Sequence, residues 1–212
     1  MKLLIVAATL PEIQPLLSAF SIGSDSAEKQ IGKHSVTVLT TGPGMVPTAF
    51  SLGRHLATKS YDLAINIGIA GSFDFDLTLG SVCLVIKDTF ADLGAEDGEE
   101  FLPLDQLGLG TTVQSQRPNP GFKANQLKEV TGITVNKVHG NELSIEKAIT
   151  RFNPQIESME GAAFFYACNQ SDVSCIQIRA ISNYVERRNR DKWDISLAIK
   201  NLNETIINLL EE

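Results

Sequence analysis

The chain has 212 residues, 43% of them hydrophobic and 20% charged, with a formal net charge of −7. Length and apolar content fit one domain, residues 1–212, with a proper core, and the acidic balance argues against a nucleic-acid partner. No run reaches the ~18–20 apolar residues of a membrane span, and three cysteines in apolar runs (Cys83, Cys168, Cys175), without CxxC spacing, predict reduced buried thiols in a cytoplasmic protein.

In chain order, the apolar run at 3–8 predicts a buried first strand rather than a signal peptide, and residues 10–20 carry helical spacing. Residues 36–39 read as a strand and 43–58 as a helix opened by Gly42-Pro43-Gly44. A buried strand at 63–67 ends in NIGIAGS. A strand at 82–86 precedes an acidic, glycine-bearing segment at 88–110, and residues 111–122 read as a surface loop. A strand at 133–138, helices at 143–151 and 159–169, a last strand at 174–181 and an amphipathic helix at 195–210 complete the chain. This alternation predicts an α/β fold, three layers of α/β/α around a central mixed, mostly parallel sheet. Ligands of such sheets bind beyond the carboxyl ends of the strands. The polar groups there lie at 9–12, 41–45, 66–72 and 179–183, with 157–161 just before a buried helix.

Each candidate has a structural reading beside a chemical one. Glu12, in TLPE, completes a capping box with Thr9 or serves as a catalytic acid or base. Glu160 either favours the dipole of its helix or, at a buried helix end, meets a polar partner or ligand. NIGIAGS is only GxxG and lacks the following helix of a dinucleotide fingerprint, and TGPG lacks the GK[ST] ending of a P-loop. His34, His55 and His139 have no metal-like spacing and read as surface or loop residues. No GxSxG elbow surrounds Ser182. The charged run at 186–194 reads as a solvated loop and helix entry.

Together, the strand-plus-acid at 3–12, TGPGMVPTA, NIGIAGS, NPGFKANQL, SMEGAA and RAISN resemble, in order and spacing, the nucleoside phosphorylase/nucleosidase superfamily over nearly the whole chain. Within it, DLGAEDGEEF, ESMEGAA and ISNYVERRNRDKWDISLAI are most similar to the futalosine hydrolase family. That resemblance implies cleavage of futalosine to hypoxanthine and dehypoxanthine futalosine on the way to menaquinone, by a homo-oligomer (dimer or larger) with no metal or organic cofactor. It implies that Glu12 activates water with Arg179 near it, that Glu160 bonds the ribose hydroxyls, and that Met159 packs on the ribosyl face. Ala70 and Gly71 join the substrate-binding set, and Asn183 bonds the purine near N7.

Adenine-specific relatives carry Asp where this chain has Asn183, so the resemblance favours a 6-oxopurine base. Phosphorylases carry Arg where this chain has Asn66, which favours water over phosphate as nucleophile. Ile69 replaces the serine of adenosyl nucleosidases. One of Arg187, Arg188 and Arg190 is a candidate partner for the substrate's carboxylate. The alternatives are a methylthioadenosine/S-adenosylhomocysteine nucleosidase, a nucleoside phosphorylase and, in another class, a non-catalytic nucleoside-binding protein.

Overall fold

In the computed structural model, which describes residues 1–23 and 28–211, the apolar runs become the central strands. β1 (Lys2–Ala7) is fully buried from Leu3 onward, and β4 (Leu63–Ser72) and β11 (Cys175–Tyr184) are buried along almost their whole length. Strands covered on both faces need continuous apolar sequence, which is what these three share. Helix α1 (Leu10–Ala19) follows β1, and β2 (Lys29–Ile31) and β3 (His34–Thr40) form one edge of the sheet. Helix α2 (Met45–Leu56) precedes β4, and β5 (Val82–Phe90) follows it.

The acidic segment expected at 88–110 contains a hairpin, β6 (Gly94–Asp97) with β7 (Glu100–Pro103). The loop expected at 111–122 contains β8 (Val113–Ser115), paired with β5. The strand expected at 133–138 lies earlier, as β9 (Lys128–Thr134). Then come α3 (Glu142–Phe152), β10 (Ile156–Ser158), α4 (Gly161–Gln170), β11 and α5 (Ile195–Glu211).

The strands run β10-β9-β5-β11-β4-β1-β3-β2. β1 pairs parallel with β3 and β4, β4 with β11, and β9 with β5 and β10; β5–β11 and β2–β3 are antiparallel. The sheet is therefore mixed, and it does more than lie flat. β10 also pairs antiparallel with β4, so β4, β11, β5, β9 and β10 close into a ring. Helices α1 and α5 cover one face with the Leu3, Ile5, Ile65 and Ile178 side chains. Helices α2 and α4 cover the other with Leu4, Val6 and Phe164. The three cysteines are free and buried, and among the described residues no helix is long and apolar enough to cross a membrane.

Candidate active site

A cavity of about 370 Å³ lies where β1, β4, β10 and β11 end, and Glu12, Ala70, Gly71, Met159, Glu160 and Asn183 all line it. Six of the seven residues expected from the sequence are thus brought to one hollow. The seventh, Arg179, lies behind its wall.

Glu12 divides its carboxylate between two tasks. Oε2 accepts from the backbone N of Thr9 at 2.9 Å and from Thr9 Oγ1 at 2.7 Å, which is the capping half; Oε1 accepts from Ile69 N of β4 at 3.2 Å. The structural and chemical readings of this residue are therefore compatible. Helix α1 is held for this purpose by a residue near the other end of the chain. The buried Asn203 of α5 donates to Glu12 O at 2.9 Å and accepts from Leu16 N at 3.0 Å, bridging one helical turn beside Pro15. Proline has no N–H to give to that turn, and a side-chain amide inserted there steadies it.

Arg179 is 1% exposed. Its Nη2 donates to Asn66 Oδ1 at 2.6 Å, Nε to Gln177 Oε1 at 2.9 Å and Nη1 to Glu160 Oε2 at 3.4 Å. Asn66 in turn donates to Val6 O at 3.1 Å. Asn66 is thus the guanidinium's acceptor, at the position where phosphorylases carry an arginine. Gln177 Nε2 donates to Asp88 Oδ2 at 2.9 Å, and Thr134 Oγ1 donates to Asp88 Oδ1 at 2.8 Å. Burial pushes the Asp88 carboxyl up to about 6, with the Gln177 and Thr134 hydrogen bonds and the Arg179 charge opposing it. Each nitrogen of the Arg179 guanidinium, and the Gln177 amide nitrogen, has at least one acceptor in this buried chain, which favours a stable network.

Gly68 makes room for it: a Cβ there would lie 2.3 Å from Arg179 Nη1 and 2.9 Å from Glu12 Oε1. Among the described residues the cavity-lining side chain that Arg179 bonds is Glu160, whose other oxygen accepts from Gly44 N at 3.0 Å. That bond ties the TGPG turn to the start of α4.

Asn183 owes its direction to a bulge. The pairing of β11 with β4 slips between Ile181 and Asn183, and Ser182 is the extra residue. Both Ser182 and Asn183 then line the cavity, as expected where a bulge re-aims a strand end. Ser182 Oγ donates to Asn183 Oδ1 at 2.8 Å, and Asn183 Nδ2 donates to Tyr184 O at 3.0 Å.

The charged run that follows is only partly a solvated loop. Asp194 caps α5 through Leu197 N at 2.9 Å, and Lys192 pairs with Glu186 at 2.9 Å. Of the three arginines, Arg188 lines the cavity, with its guanidinium 5.1 Å from the Trp193 ring centre.

Of the histidines expected at the surface or in loops, His34 is buried, His55 is half-buried in α2 and His139 lies half-buried in the loop after β9. His55 Nε2 meets the Tyr61 hydroxyl at 2.7 Å, and His139 lines the cavity. His139 is bonded to the buried Glu157, a pair that local sequence does not single out. Among the described residues no group of three or more His, Cys, Asp or Glu side chains is placed to hold a metal ion.

A family model described as the phosphorylase superfamily matches residues 2–211. The chain belongs to the phosphorylase superfamily. Among curated members of the superfamily it is 30% identical to a futalosine hydrolase of Acidothermus cellulolyticus, over 95% of this chain and 87% of that protein. It is 25% identical to a 5′-methylthioadenosine/S-adenosylhomocysteine nucleosidase of Colwellia psychrerythraea, over 99% of this chain and 96% of that protein. The fold is that of the futalosine hydrolase of Helicobacter pylori, with a TM-score of 0.82 at 17% identity over 100% of this chain and 97% of that one. Within this superfamily fold the cavity occupies the carboxyl ends of the strands, as for ligand sites of open α/β sheets in general.

Proposed function

We propose that the chain is a nucleosidase that hydrolyses the N-ribosidic bond of futalosine, releasing hypoxanthine and dehypoxanthine futalosine in menaquinone biosynthesis, as one domain spanning residues 1–212. The observation that carries this reading is the neutral amide of Asn183 at the cavity, fixed by Ser182. An amide donates to O6 of a 6-oxopurine and accepts at N7 in a way that a carboxylate does not. The futalosine hydrolases at about 30% identity support the same choice.

Cleavage makes a ribosyl cation while the purine leaves with the bonding electrons. Glu12 orients water and takes its proton, with Ile69 N and Thr9 holding the carboxylate still. Glu160, held from behind by Arg179 and Gly44, meets the ribose hydroxyls and lends its negative charge to the cation. Arg179 is then a positioning residue. Met159 packs on the ribosyl face, and Ala70 and Gly71 form the floor. Arg188, stacked at the rim on Trp193, meets the substrate's carboxylate. The exposed apolar side chains Val46 and Phe50 of α2, beside Leu109 and Tyr166, support a homo-oligomer through that face.

The deciding experiment is chromatography of products from futalosine, methylthioadenosine and inosine, with and without phosphate. Fastest release of hypoxanthine from futalosine, independent of phosphate, is expected, with Arg188→Ala raising KM for futalosine alone. Faster release of adenine would assign the chain to the adenosyl nucleosidases, and strict phosphate dependence would make it a phosphorylase.

A further inference from the structure

The cavity holds an ionisable pair that the mechanism above leaves unused. Glu157, the middle residue of β10, is buried and accepts twice from one residue: Oε1 from His139 N at 3.0 Å, Oε2 from His139 Nδ1 at 2.6 Å. A carboxylate only accepts, so Nδ1 carries hydrogen and the available ring nitrogen is Nε2. Among the described residues Nε2 has no hydrogen-bond partner. His139 itself follows β9 and lines the cavity.

The closure of the sheet puts this pair beside Asn183. Glu157 stands opposite Gly71 in the β10–β4 pairing, and Asn183 stands opposite Gly71 in the β11–β4 pairing. A Cβ on Gly71 would lie 3.1 Å from Asn183 Nδ2 and 3.6 Å from Glu157 Cγ. The amide that meets the purine and the carboxylate that aims the histidine therefore flank one glycine. Asn183 has no proton to transfer, whereas an imidazole held at Nδ1 is a proton carrier at Nε2. We propose that His139, aimed by Glu157, is the general acid that protonates the departing purine.

The step balances. The C1′–N bond breaks with its electron pair on the purine, and His139 Nε2 gives that purine a proton, leaving a neutral ring still bonded to Glu157. Water adds its oxygen to C1′ and its proton passes to Glu12; after release, Glu12 loses a proton to solvent and His139 regains one. The inference rests on the nucleosidase reading.

Its test is the pH dependence of kcat on futalosine for the full chain, His139→Gln and Glu157→Gln. The charged groups around the ring are Glu12, Glu157, Glu160 and Arg188 on the cavity side and Asp92, Lys137, Lys147 and Arg151 in the adjoining hollow. All but Glu157 are unchanged in both variants. His139→Gln is expected to lower kcat by ~10²-fold at neutral pH with little change in KM, and to remove the fall in activity on the alkaline side. Glu157→Gln, which keeps a hydrogen-bonding side chain, is expected to move that fall toward lower pH. An unchanged profile, or a uniform loss at every pH, overturns the proposal, because a merely structural role leaves the alkaline fall in place. Should His139→Gln fail to fold, an unmoved alkaline fall in Glu157→Gln overturns it equally. Absence of futalosine hydrolysis by the unmodified chain would instead count against the nucleosidase reading.

Discussion

Asn183 has little freedom to turn. Its Oδ1 receives the Ser182 hydroxyl at 2.8 Å while Nδ2 gives to Tyr184 O at 3.0 Å. Replacing that amide by a carboxylate puts an anionic oxygen against the Tyr184 carbonyl and removes the donor to O6. An unpaired acceptor costs up to ~1–3 kcal/mol when buried, and this pair is half-buried. Asn183→Asp is therefore expected to lower kcat for hypoxanthine release by ~10-fold or more while changing substrate Kd less. Single-turnover kinetics beside equilibrium binding separates the two effects; an unaltered kcat would remove the 6-oxopurine argument. The same scale shows what local sequence conceals. Asn183 and Glu12 were visible because each follows a strand-like apolar run. Arg179 looked like a site residue for the same reason, yet its burial depends on Asn66 and Gln177, acceptors on β4 and on β11 itself that no local pattern pairs with it.

Among the elements, long ones announced themselves and short ones did not. β1, β4 and β11 are apolar runs of six to ten residues, and the helices carry their 3.6-residue period. β10 has three residues, one of them Glu157, too few for any period to register. Yet β10 closes the strand ring and brings Glu157 to Gly71. His139, in the connection after β9, gains its meaning only from that closure.

Helix α1 makes the related point about helix–helix contact. Its turn at Glu12 depends on Asn203, 191 residues away in α5. Asn203→Leu fills the space but leaves Glu12 O and Leu16 N without this side chain. The expected loss is ~1–3 kcal/mol of stability, with a fall in kcat larger than the change in KM because the moved group is the acid proposed to activate water. Urea denaturation and steady-state kinetics on one preparation check both; full activity would show that α1 needs no such support.

For the molecule as a whole, the buried Asp88–Gln177–Arg179 chain couples stability to pH. Burial raises the Asp88 carboxyl from 3.8 to about 6. Between those values the folded protein holds a proton that the unfolded chain releases, so ν is greater in the native state and stability falls as pH rises. The contribution is fully present below 3.8 and is lost as pH passes through about 6, a change of about 3 kcal/mol. The chain is acidic, and many carboxylates titrate across the same range, so the measurement must be a difference. Asp88→Asn removes this one titration and leaves the others, at the cost of opposing an amide N–H₂ to Gln177 Nε2. Whatever its stability at pH 4, where the unfolded group is already partly ionised, the variant is expected to gain on the natural chain by roughly 2 kcal/mol between pH 4 and pH 7. Urea unfolding of both proteins at half-unit steps of pH reads that gain directly. A difference that stays constant with pH would mean that Asp88 is ionised in the fold throughout, and that the charge of Arg179 reaches it more strongly than burial does.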